Sequence, residues 1–230
     1  MKQHNPTLVI ALSLVIGGCA SSGTKPHDMS VEQHERAAQA EQDEAKAHAD
    51  QYDPSLEGTE ELCPGGLICW TTWSNPTAEH NQEANRHRQL AKKHREAAEA
   101  LRTAEAQACV GVDERDRDLS PFFHAPDIQR VTVPTPESQN PVEVVFRPVQ
   151  GLTEAGLQKL VDCHIARSAA TGHEMPDMDY CPLVPRGVQA AVSTRDGAFV
   201  VTISVENNER DARAEVLKRA TALEQRTKAG

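Results

Sequence analysis

The stretch NPTAEHNQEANRHRQLAKKHREAAEALRTAEAQACVG, from Asn75 to Gly111, decides the fold of this chain. Asn75 is a favoured N-cap, Pro76 suits the first helical position, and Glu79 in the first turn complements the helix dipole. No Gly or Pro follows until Gly111, the residue expected to end the helix just after Cys109. The spacing therefore predicts a helix from Pro76 to about Ala108, close to about 50 Å long at 1.5 Å per residue. Its repeat is of an uncommon kind. His80, His87, His94, Leu101 and Ala108 recur every seven residues, with Ala84, Ala91, Ala98 and Glu105 four residues after the first four. That is a heptad seam written in His and Ala instead of Leu.

Upstream, a second segment carries the same grammar. Ser30-Val31-Glu32-Gln33 reads as a capping box, and Val31 to about Gln51 is rich in Ala, Glu, Gln, Lys and His before Tyr52-Asp53-Pro54 stops it. His34, Glu41 and His48 share the seven-residue spacing, with Ala38 and Ala45 between them. Folding the two helices back antiparallel places His48 by His80, Glu41 by His87, and His34 by His94. Histidines seven apart on one helix stand about 10.5 Å apart, so a metal site on the seam needs ligands from both helices. Clustered imidazoles also oppose protonation, so helicity is expected to fall below about pH 6.

The insert at 53–74 is too long for a tight turn. Leu62-Cys63-Pro64-Gly65-Gly66-Leu67-Ile68-Cys69-Trp70 reads as a looped tip that brings Cys63 and Cys69 within bridging range. Trp70 and Trp73 are the only tryptophans. They either pack on the helix ends or form an aromatic tip that touches a partner protein or glycan.

Beyond Gly111 the pattern changes. Residues 111–141 read as a connector and Pro-rich linker, in which Ser120-Pro121-Phe122-Phe123-His124 packs against a domain and Ile128–Val133 can form a short edge strand. From 142 to 226 the order is strand, helix, strand, strand, helix, with Arg195-Asp196-Gly197 as a hairpin turn and Asn208 capping the last helix. The expected class is α+β: a long antiparallel α-helical hairpin at 30–110, then a small β-α-β-β-α two-layer sandwich.

The irregular segment between the sandwich helix and its hairpin holds a soft donor set. His173, Met175, Met178 and Cys181 combine imidazole, thioether and thiolate, suited to copper or zinc, and compete with a purely structural reading of the loop. Sequence proximity favours disulfides Cys63–Cys69 and Cys163–Cys181, leaving Cys109 alone; the second would close about 18 residues and add about 3 kcal/mol. No GxSxG, GxxxxGK, HExxH or strand-borne GxGxxG occurs, so no catalytic residue is assigned. Ser120, His124 and Asp127 lie close along the chain, which says nothing of triad geometry. The net charge of −10 over 230 residues argues against nucleic acid.

At the start of the chain, Lys2 precedes an apolar run from Leu8 to Ile16, followed by Gly17-Gly18-Cys19 and then Ala20-Ser21-Ser22-Gly23. The run is too short to span a bilayer but fits the apolar region of a signal peptide. Ile16-Gly17-Gly18-Cys19 resembles the lipobox of bacterial lipoproteins. The resemblance implies a signal peptide at 1–18, cleavage after Gly18, lipidation of Cys19 by palmitate-type chains, and a tether at 19–29. More than one acyl chain makes such an anchor stable. Because no Asp follows Cys19, it also implies the outer membrane, facing the periplasm, over the inner membrane or the cell surface. The leading expectation is a lipid-anchored envelope protein with a structural or interaction role and no cofactor. The alternative is a periplasmic lipoprotein that binds copper or zinc.

Overall fold

A computed structural model describes residues 23–62, 70–205 and 209–229, of which 60–62 and 70–72 are described for the backbone only. The fold is α+β. Its elements in chain order are α1 (Val31–Ala49), β1 (Gly58–Leu62), β2 (Trp70–Ser74), α2 (Ala78–Ala108), β3 (Ile128–Thr132), β4 (Val142–Phe146), α3 (Glu154–Ala170), β5 (Val188–Arg195), β6 (Ala198–Val205) and α4 (Arg210–Ala229). The lipobox with Cys19, the pair Cys63 and Cys69, and Asn208 lie outside the described residues.

Helix α1 starts where its capping box predicts. Ser30 Oγ accepts from the Gln33 N–H at 3.1 Å, and the Gln33 side chain accepts from the Ser30 N–H at 2.8 Å, so two orphan donors of the first turn are satisfied. Helix α2 starts two residues later than its N-cap signal suggests. Asn75 Oδ1 accepts from the Thr77 N–H at 2.7 Å while Asn75 Nδ2 donates to the Asp53 carbonyl at 2.8 Å. Asn75 thus closes an Asx turn that ties the two helix ends together, and regular helix begins at Ala78. The insert is more regular than a loop. β1 and β2 pair antiparallel, from Gly58 opposite Ser74 to Leu62 opposite Trp70.

The main sheet has four antiparallel strands in the order β3-β4-β6-β5. Strands β4 and β5 run parallel, joined through α3, and β6 fills the gap between them. The turn from β5 to β6 is Asp196-Gly197, both with positive φ, the two-residue geometry that matches strand twist. Val142, Val144 and Phe146 of β4 lie opposite Ile203, Val201 and Phe199 of β6. They form one core with Leu157 and Val161 of α3 and Val216, Leu217, Ala220 and Leu223 of α4. The alternation of apolar residues along both strands and the 3.6-residue spacing on both helices produce this core.

Two features correct the sequence reading. The boundary at 141 falls too late, while the edge strand and the packing of the Phe segment hold: β3 is the edge strand beside β4, and fully buried Phe122 stacks on Phe146 at 5.9 Å between ring centroids, so part of the expected connector belongs to the core. The disulfide pattern also differs. Cys163 pairs with Cys109, not with Cys181, which is a buried free thiol. Proximity along the chain misled because α2 and α3 lie against each other, bringing residues 54 apart into bonding range. Arg167 of α3 reinforces the joint, reaching Glu105 of α2 at 2.9 Å and Asp118 at 2.8 Å. Among the described residues no helix is long and apolar enough to cross a membrane.

Candidate functional site in the histidine seam

Helices α1 and α2 meet along three polar layers, the same three pairs that the heptads suggest. His34 Nδ1 lies 3.0 Å from His94 Nδ1, His87 Nδ1 lies 2.6 Å from Glu41 Oε2, and His48 Nδ1 lies 3.2 Å from His80 Nδ1. Ala38 and Ala91, then Ala45 and Ala84, are buried between them. With only methyl groups at these positions the helix axes approach closely, and the wider imidazoles and carboxylates occupy the remaining layers.

The hydrogen bonds determine the proton positions. In the first layer, His34 Nε2 lies 3.1 Å from the Lys25 carbonyl and 3.3 Å from that of Pro26. Carbonyls only accept, so His34 carries its proton on Nε2, and its Nδ1 accepts from the Nδ1–H of His94. Both rings are buried. Burial, and then the neighbouring His34, lowers the pKa of His94. In the second layer the Arg86 guanidinium donates to His87 Nε2 at 2.9 Å, so His87 is protonated on Nδ1 and donates that proton to Glu41.

At the β1–β2 end of the seam, donor atoms converge. One ligand atom each from His48, Glu83 and His87 lies within 4.8 Å of the other two, and all three residues are half-buried. The rings of His48 and His87 stack, with centroids 5.5 Å apart and planes at 15°. His80 stands behind His48, and Glu41 behind His87. Arg86 Nε also donates to Glu83 Oε2 at 2.7 Å, which holds the Glu83 carboxyl below its ordinary range. A single guanidinium thus bridges Glu83 and His87.

The soft donors expected at the irregular segment are engaged with protein groups. His173 Nδ1 donates to the Val184 carbonyl at 2.8 Å, and Met175 Sδ accepts from Thr171 Oγ1 at 3.6 Å. Met178 packs against the core, and its carbonyl accepts from Arg219 at 2.7 Å. Cys181 Sγ lies 3.3 Å from His164 Nε2 and accepts from Ser120 Oγ at 3.2 Å. A thiol beside an imidazole resembles an activated nucleophile, but burial pushes Cys181 up to about 11 and His164 down to about 4. Both are therefore neutral near pH 7, and neither is exposed. Ser120 is turned to Cys181, while His124 Nδ1 pairs with Asp127 at 2.9 Å, so the three residues near in sequence do not assemble as a triad.

The heptad registers made the seam legible in the sequence. Glu83 and Arg86 were missed because they fall outside the seven-residue series, although Glu83 stands three residues after His80 and four before His87, and Arg86 three after Glu83, spacings that could have found them. No family profile, curated protein or solved structure matches the chain.

Proposed function

We propose that the chain is a lipid-anchored protein of the cell envelope, attached through Cys19 to the outer membrane and facing the periplasm, with an interaction or structural role. We read α1 and α2 as one antiparallel helical hairpin, an arm carried on a two-layer sandwich that includes β3 as its edge strand. The observation that carries the interaction role is Trp73, 74 % exposed on the β1–β2 ribbon. Large aromatics are ordinarily hidden, and one displayed at the end of an arm suits docking of a partner protein. The side of the arm nearest the tether supports the same orientation. His34, in the first turn of α1, is bonded to the carbonyls of Lys25 and Pro26, which keeps the start of the described chain at the base and the ribbon at the far end.

The test is metabolic labelling of the full chain with an alkyne palmitate analogue, followed by membrane fractionation. Label should enter the wild-type chain and be lost in Cys19→Ser, and the labelled chain should sediment with outer membranes. Label that persists in Cys19→Ser, or no label at all, overturns the anchor. A photo-crosslinking residue in place of Trp73 should give a discrete adduct that the same probe at exposed Gln39 does not give; absence of that adduct overturns the interaction surface.

A further inference from the structure

We propose that His48, Glu83 and His87 form a binding site for a borderline divalent transition ion, zinc being the representative, at the ribbon end of the α1–α2 seam. This goes beyond the anchoring reading and does not depend on it. The first support is convergence: two imidazoles and one carboxylate from two helices within 4.8 Å of one another. Zinc held at about 2.0–2.1 Å by nitrogen and 2.0–2.2 Å by oxygen needs ligand atoms about 3.3 Å apart in a tetrahedron. Small rotations of these half-buried side chains close that difference, with no backbone shift.

Orientation is the second support. His87 donates Nδ1–H to Glu41 at 2.6 Å, which leaves Nε2 as the lone-pair nitrogen on the side of Glu83, 3.9 Å away. A carboxylate behind a ligating imidazole fixes its tautomer and raises its basicity, and such partners are a regular part of zinc sites. Glu41 is therefore a positioning residue.

Third, the place is already taken by a positive charge. Arg86 donates to Glu83 and to the same His87 Nε2, so the site as folded binds a cation of its own. Its side chain is 53 % exposed and free to swing into solvent. An incoming ion replaces the guanidinium at both donors. His48 supplies the third protein ligand, and water or His80 completes the shell. The nitrogen and carboxylate donors suit zinc, and copper(II) binds such a set more tightly by the general order of affinities.

The experiment is competition of the full chain, purified and stripped of metal, against a fluorescent zinc chelator, with cobalt(II) absorption as a second readout. One zinc per chain is expected, with a tetrahedral cobalt spectrum lacking thiolate charge transfer. His48→Ala and His87→Ala should each weaken binding by more than tenfold, and Glu41→Gln by about tenfold. Arg86→Ala should bind as well as wild type or better, because the competing cation is gone. Glu83→Gln, partly exposed and isosteric, keeps the fold measurable by circular dichroism and should also weaken binding. No stoichiometric binding overturns the proposal. So does binding that His87→Ala and Glu83→Gln leave intact in folded protein, or a thiolate band that would relocate the ion to Cys181.

Discussion

At the scale of single residues, buried histidines predict that stability falls in acid, and the direction follows from their surroundings. His164 is 1 % exposed, its Nε2 faces the Cys181 thiol, and its Nδ1 has no partner in hydrogen-bond geometry. Desolvation lowers it to about 4; the Leu119 carbonyl and the Asp118 carboxylate favour the charged form but are outweighed. Unfolded, the same ring titrates near about 6.5. Between pH 6.5 and 4 the unfolded chain binds the extra proton, so stability is whole above about 6.5, falls as pH drops, and levels off below about 4. The loss from His164 alone is about 3 kcal/mol. His94 and His173, both lowered chiefly by burial, act in the same direction. Urea denaturation at pH 7.5, 6 and 5 should show the decline, and His164→Leu should flatten it.

Element by element, the sequence foretold what local rules control and missed what distant contacts decide. The capping box of α1, the Asp196-Gly197 turn and the three seam pairs are written in spacings of two, three and seven residues. The start of α2 shifted because Asn75 spends its side chain on Thr77 and Asp53, a contact across 22 residues that spacing does not reveal. The ribbon escaped notice because the sequence of Gly58–Leu62 lacks an apolar alternation and only backbone pairing with β2 makes it a strand. The joint between α3 and α1 is likewise invisible locally. Gly172 ends α3 with φ of 77°, and a Cβ there would stand 3.0 Å from Ser30 Cβ and 3.3 Å from the Ser30 nitrogen. Gly172→Ala should therefore cost about 1–2 kcal/mol from the left-handed backbone alone, with a further loss from displacing the α1 cap. Thermal or urea unfolding checks it, with Gly151→Ala as a control that shares the strain and not the clash.

For the whole molecule, the joint between α2 and α3 is the Cys109–Cys163 bond together with Arg167 and its two carboxylates. Cross-linking residues 54 apart restricts the unfolded chain by about 4 kcal/mol in the chain-entropy account. The double substitution Cys109→Ser, Cys163→Ser should lower unfolding stability by about that much. Peptide mapping without reduction should recover the Cys109–Cys163 linked pair, and the Cys181 peptide should take up alkylating reagent only after denaturation. Sequence proximity chose the wrong partner for Cys163 because only the packing of α2 on α3 brings Cys109 near. Donor groups follow the same lesson: soft residues close along the chain are engaged with other protein groups, while His48 and His87, 39 residues apart, come together across the seam.

The grip of His34 on the Lys25 and Pro26 carbonyls has a mechanical meaning. The same ring contacts His94, so residues 25–26 are tied to both seam helices, and the Cys109–Cys163 bond ties α2 in turn to α3. The start of the described chain is thus linked to the sheet by side-chain contacts and one covalent bond, a shorter route than the backbone between them.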